Sequence, residues 1–260
     1  MDGTLQPPTA FDAWTGVASA ALYLFVGVAA LARTPRDARA QTFFTIAIAS
    51  LVPYVLPAGL GRLGYGTLLT IAAILAAVSL AVGSVALFHF TQVFPSRRPW
   101  ITDRSIWLLP AYVVLPLGAV LGALALLPIV RMQAAMSGPP GSGGLGAVSS
   151  DLALVLLFVL IPTVFVVGIV LPFAALLSLY KSWQEAKRDG RDGARVTTLA
   201  ILISQLAGGV LTILVVPLLH LIAPNGPAAL IAAVLLFGFG LLFPIAFAVG
   251  VWKYRLIDKI

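Results

Sequence analysis

Two histidines, His89 and His220, are the side chains best suited to proton transfer near neutral pH, and they sit on different apolar stretches of the sequence. His89 closes the third stretch and His220 closes the sixth. If each stretch crosses a membrane, the two face opposite sides, and one metal ion cannot bridge them. His89 reads as an interfacial residue that hydrogen-bonds a neighbouring helix end. His220 either faces lipid headgroups or lines an outer pocket. There is no cysteine, so thiolate ligands, a thiol nucleophile and disulfides are excluded. No HExxH, phosphate-binding glycine loop or pair of carboxylates is present. Neither enzymatic activity, a cofactor nor a metal site is expected.

Among the other polar groups inside apolar stretches, Tyr54, Thr163, Ser204 and Gln205 are singled out. Two readings are open. They converge with backbone freed at Pro53, Pro57 and Pro162 on a cavity near the outer leaflet. Alternatively they hold helices together at ~0.6 kcal/mol per contact. Such a cavity would suit a neutral or lipid-like ligand, since no fixed charge is available to pair with an ion. Ion-coupled carriers place Asp, Glu, Lys or Arg within the bilayer, and no helix core here has one. The last span also lacks a lysine for a retinal Schiff base.

The elements that carry these residues follow from charge. Segments 13–32, 40–61, 63–96, 105–130, 152–180 and 196–252 contain no Lys, Arg, Asp or Glu. The sequence is 60% hydrophobic and 10% charged, with a mean hydropathy of +1.06, the balance of a polytopic membrane protein. About twenty residues cross ~30 Å of hydrocarbon as a helix, so the long final segment holds two crossings. The Pro224-Asn225-Gly226-Pro227 turn splits it. The expected fold is all-α: seven transmembrane helices in one domain spanning 1–260, at about 13–32, 41–58, 67–92, 105–130, 151–180, 196–222 and 228–252. No cleavable leader is expected, because the first seventeen residues carry Asp2 and Asp12 and no basic residue.

An outside N-terminus puts 14 of the 16 basic residues on the cytoplasmic side and leaves Arg62 and Arg131 outside. The positive-inside bias therefore predicts N-out and C-in. The net charge of +7 has the same origin, and no nucleic-acid partner is implied. The cytoplasmic Arg and Lys are expected to orient the chain and bind anionic lipid at roughly 1 kcal/mol each, with no single one decisive. Gly118 and Gly122 form a GxxxG pattern, read as intramolecular packing, coincidence or the contact of a homo-oligomer.

The seventh span ends in FPIAFAVGVWKYRLID, with Trp252, Tyr254 and Arg255 at the expected cytoplasmic exit. The third ends in FHFTQVFP, with His89, Phe90, Phe94 and Pro95. Together these strings resemble the N-terminal seven-transmembrane sensor region of bacterial histidine kinases and related signalling proteins. The resemblance implies an inner-membrane receptor region that passes a stimulus to a cytoplasmic signalling domain or partner protein. The 260 residues contain no phosphoacceptor-histidine or ATP-binding domain of their own. A membrane anchor or accessory subunit of a larger complex, and a carrier for a neutral solute, are the rival readings. Pro244 cannot donate its backbone hydrogen bond and clashes with the Gly240 carbonyl. A bend at Gly238, Gly240 and Pro244 is therefore expected, serving either as a signalling hinge or as a static kink.

Overall fold

The computed structural model describes residues 10–60, 67–95, 108–136, 150–215, 218 and 227–256. Among them the chain is all-helical, with seven helices and no strand. Helix α1 is Ala10–Arg33, α2 Ala38–Leu60, α3 Thr67–Val93 and α4 Leu109–Met136. Helix α5 runs as Ser150–Phe165, a π-helical turn Val166–Val170, and Leu171–Arg188. Helix α6 is Asp192–Val210 followed by a second π-helical turn, Leu211–Val215, and α7 is Pro227–Trp252. Among the described residues four stretches are long and apolar enough to cross a membrane: Ile74–Val93, Phe158–Arg188, Asp192–Val210 and Val234–Trp252. Shorter apolar helical stretches lie at Val17–Arg33, Ala38–Val52 and Pro110–Leu124.

Each helix packs on the next in sequence, α7 closes onto α1, and α3 also reaches α5 across the bundle. The buried face of α1 carries Ser19, Ala20, Val26 and Ala30 at helical spacing, while Phe25 is 72% exposed. Exposed leucine, isoleucine, valine and phenylalanine ring the outside, as a lipid-facing surface requires. Close approaches use glycine. A Cβ on Gly27 would meet the Ala47 Cβ at 3.2 Å and the Phe44 backbone at 3.3 Å. Gly118 lies against Thr163 and Gly122 against Leu160. The GxxxG pattern of α4 is thus the seat of α5, an intramolecular contact.

The 181–195 segment differs from a loop. Helix α5 continues to Arg188 and α6 starts at Asp192, so the connection is only residues 189–191. Lys181 to Arg188 is amphipathic: Ser182 and Ala186 are buried while Lys181, Lys187 and Arg188 are exposed. The turn closes with the Arg191 amide donating to Ala186 O at 2.9 Å, and Gly190 takes φ +66°.

Both π-helical turns end two residues before a proline, Pro172 in α5 and Pro217 in the sequence after α6. A proline lacks the donor for the carbonyl four residues back and crowds it. Lengthening the ladder to five residues just upstream, as where the Leu171 amide reaches Val166 O, relieves that crowding.

Candidate functional site

The two strings that carry the family resemblance meet in space. Phe90 and Phe94 of α3 stack at 4.9 Å and lie edge-on or tilted to Phe247 of α7 at 5.5 and 5.9 Å. Phe43 of α2 stacks on Phe247 at 4.1 Å and meets Phe243 edge-on at 5.4 Å. Tyr23 of α1 completes the group against Phe43 and Phe243, both at 6.0 Å. The five phenylalanines are essentially inaccessible. Centroid distances of 4.5–7 Å with offset or edge geometry are the favoured arrangements of aromatic rings. The spacing Phe90–Phe94 and Phe243–Phe247 keeps both pairs on one helical face.

Directly above these rings lies the segment disturbed by Pro244, which is itself buried. The Gly240 carbonyl, deprived of its partner at Pro244, accepts a hydrogen bond from the Tyr23 hydroxyl at 3.1 Å. The preceding carbonyl, Phe239 O, accepts from Ser204 Oγ at 2.6 Å. Two side chains from α1 and α6 thus latch adjacent carbonyls of α7. Gly238 and Gly240 leave open space where a side chain would stand, so the helix is unpacked on that side.

At the other end of α7 the chain leaves through a tight helix stop. Leu256 N donates to Gly250 O at 3.0 Å and Tyr254 N to Val249 O at 3.2 Å, with Arg255 at φ +50°. The helix end is thus closed by i→i−5 and i→i−6 bonds, and arginine occupies a left-handed position that glycine prefers. Trp252 remains 38% exposed. The Tyr254 ring rests on Gly193 of α6, where a Cβ would fall 2.6 Å from it, and Lys253 Nζ sits 5.5 Å above the same ring. The Leu256 carbonyl accepts a short hydrogen bond from Arg39 Nη1, which also reaches Pro95 O at 3.1 Å. The rest of the guanidinium is held by Asp37, with Nη2 at 2.6 Å from Oδ2. Arg39 thus joins three elements through one guanidinium.

A cavity of about 500 Å³ opens beside the latch, lined by Tyr23, Ser50, Ser79, Ser84, Gln205 and Phe243 among others. Its volume is that of a small-molecule site. Among the described residues no ionisable side chain other than the Tyr23 phenol lines it. Among the described members of the sequence-derived set, Gln205 faces a cavity. Thr163 instead bonds Val159 O within its own helix at 2.8 Å, and Ser204 is spent on Phe239. The Tyr54 side chain and His220 lie outside the described residues. His89 is half-buried with Nδ1 3.3 Å from the Tyr112 hydroxyl of α4, a contact between neighbouring helices. Among the described residues no three His, Cys, Asp or Glu side chains form a metal-ligand group.

Tyr23, Arg39 and Asp37 were not singled out by the sequence. Tyr23 is an isolated hydroxyl on the buried face of α1, and Asp37-Ala-Arg39 is a charge pair at a helix start; those were the available signals. Compared with family models, curated proteins and solved structures, the chain matches none.

Proposed function

We propose that this chain is the seven-span sensory domain of a bacterial inner-membrane receptor. Its N-terminus lies outside, and α7 carries the signal to a cytoplasmic domain or partner protein. The observation that carries this reading is one shared wall. Tyr23 and Phe243 line the cavity and also hold α7 at its proline, through the Gly240 hydrogen bond and the aromatic group. A ligand that displaces Tyr23 removes one latch from α7, and the bistable element is the Gly240–Pro244 segment. The resemblance of the FHFTQVFP and FPIAFAVGVWKYRLID strings to histidine-kinase sensor regions supports the same assignment.

With a kinase output domain fused after Ile260, Tyr23→Phe is expected to shift basal output while the protein still folds, since an interhelical hydrogen bond in a membrane is worth only ~0.6 kcal/mol. Pro244→Ala, which restores the donor to Gly240, is expected to make Tyr23→Phe silent. Unchanged output from both single variants, with normal folding, would leave α7 a static strut and favour an anchoring subunit.

The orientation has its own test, made clean by the absence of cysteine. Ser142→Cys is expected to react with an impermeant maleimide in intact cells. Lys187→Cys, on the exposed face of α5, is expected to react only after permeabilisation. Reaction of Lys187→Cys in intact cells would break the seven-span N-out arrangement.

A further inference from the structure

A second cavity, of about 380 Å³, lies between α5 and α6. Both π-helical turns contribute to it, Gly168 and Ile169 from the first and Leu214 from the second, with Phe173, Leu206 and Gly209 between them. Ile169, Phe173, Leu206 and Leu214 are 53–62% exposed, so the slot opens on the lipid-facing surface. Gly168, Gly208 and Gly209 have nothing within 4 Å of a would-be Cβ, so the space is real at backbone level. Widened π turns recur at functional sites in helices.

This slot and the central cavity have two lining residues in common, Leu87 and Gln205. Gln205 is the boundary between chemically different spaces. On the slot side Gln205 is the only polar side chain among the described residues, while on the other side stand the hydroxyls of Tyr23, Ser50, Ser79 and Ser84. The Gln205 amide forms no hydrogen bond within the described residues. It brings two donors and an acceptor to a place where hydrocarbon offers it nothing.

We infer that the two cavities form one site for an uncharged amphiphile that enters sideways from the bilayer. Its apolar chain fills the slot between the π turns, and its hydroxyl or carbonyl head reaches Gln205 and the polar cavity beyond. Charged heads are excluded because neither lining offers a counter-charge. This assignment rests on the cavity proposed above as the sensory site, and it names the ligand class and the door.

The test uses the full chain in phosphatidylcholine nanodiscs with a diazirine-bearing dodecanol as probe. Photolabel is expected on α5 and α6 around residues 168–176 and 205–214, and unlabelled dodecanol is expected to compete for it saturably. Dodecane and dodecyl sulfate should compete poorly. Gln205→Leu is expected to weaken dodecanol competition roughly five-fold, the effect of one neutral hydrogen bond. Gly209→Phe and, independently, Gly168→Leu fill open space and should abolish labelling of the slot while unfolding temperatures stay near wild type.

Non-saturable label, or equal competition by dodecane, would show a groove holding bulk lipid and overturn the inference. So would label that survives both slot-filling variants in folded protein. Output is not read in this experiment. Saturable binding with no response in the fused kinase therefore defeats the receptor reading alone, and loss of competition defeats the ligand assignment alone.

Discussion

Arg39→Ala is expected to lower the stability of the folded protein by about 3 kcal/mol, read as a drop in unfolding temperature in detergent. Arginine in the first turn of a helix works against the helix dipole, so its position is explained by its partners. Asp37 caps α2, its Oδ1 accepting the Arg39 amide at 2.7 Å, and the same carboxylate grips the guanidinium. The remaining nitrogen binds carbonyls at the end of α3 and in the tail beyond α7. Hydrogen bonds from a charged donor contribute roughly 1.5–3 kcal/mol each, and the Arg39 side chain is only 18% exposed.

Removing it also takes the guanidinium away from the Asp37 carboxylate, which is 6% exposed. The surviving cap and some access of water hold the loss to the lower end of what breaking a buried pair costs. Arg39→Lys keeps the charge but cannot serve a carboxylate and two carbonyls in one plane, so it should recover less than half. Arg191→Ala, whose pair with Asp189 is more than 40% exposed on both sides, should cost about 0.5 kcal/mol or less. Equal losses for Arg39→Ala and Arg191→Ala would refute the clamp. Limited proteolysis adds a functional readout, because the Tyr254–Leu256 tail should become cleavable only when Arg39 is lost.

What the sequence discloses and what it hides follows from the range of each interaction. The seven helices were legible because charge is excluded from hydrocarbon, so gaps between charges mark spans. The same rule misplaced the facing ends of α5 and α6, because charge reports where an apolar stretch stops and not where a helix stops. Lys181 to Arg188 stays helical while burying Ser182 and Ala186. The free Gly240 carbonyl was legible since a proline acts on its own helix at fixed spacing. Its partner was not, because any hydroxyl at the right depth can donate to a backbone carbonyl, and Tyr23 lies 217 residues away. Arg39 was hidden for the same reason: two of its partners are carbonyls of Pro95 and Leu256, groups every residue carries. Ser204 and Gln205 are neighbours in sequence with different fates. One helical step of about 100° turns the first toward α7 and the second toward the cavities.

Phe43→Ala is expected to cost about 3 kcal/mol, and the reason differs from that in a water-soluble core. Lipid is as apolar as the bundle interior, so burial from water contributes little to helix association in a membrane. What remains is contact. The Phe43 ring is stacked on Phe247 and Tyr23 and edge-on to Phe243 and Phe90, so it ties α2 to α1, α3 and α7 at once. Aromatic pairs contribute roughly 0.5–1.5 kcal/mol each beyond area, and four are lost together with the dispersion contacts of a filled site. Surrounding rings cannot collapse into the void without leaving their own partners, so the cavity persists and its cost adds. Phe43→Leu should cost about 1 kcal/mol, since volume is largely kept and only ring geometry goes.

Phe25→Ala on the outer face of α1 is the matching control, because that ring is 72% exposed and alanine there should be close to neutral. Thermal unfolding of the three variants in one detergent decides the matter. A Phe43→Ala protein no less stable than Phe25→Ala would mean that the rings merely fill space and do not join the helices. If the large loss is found, Phe43→Leu gains a second use. It loosens Phe243 and Phe247 with the fold intact, so in the kinase fusion it should raise or lower basal output in the same direction as Tyr23→Phe. An opposite shift would separate the aromatic group from the Gly240 latch and leave the latch to act on α7 alone.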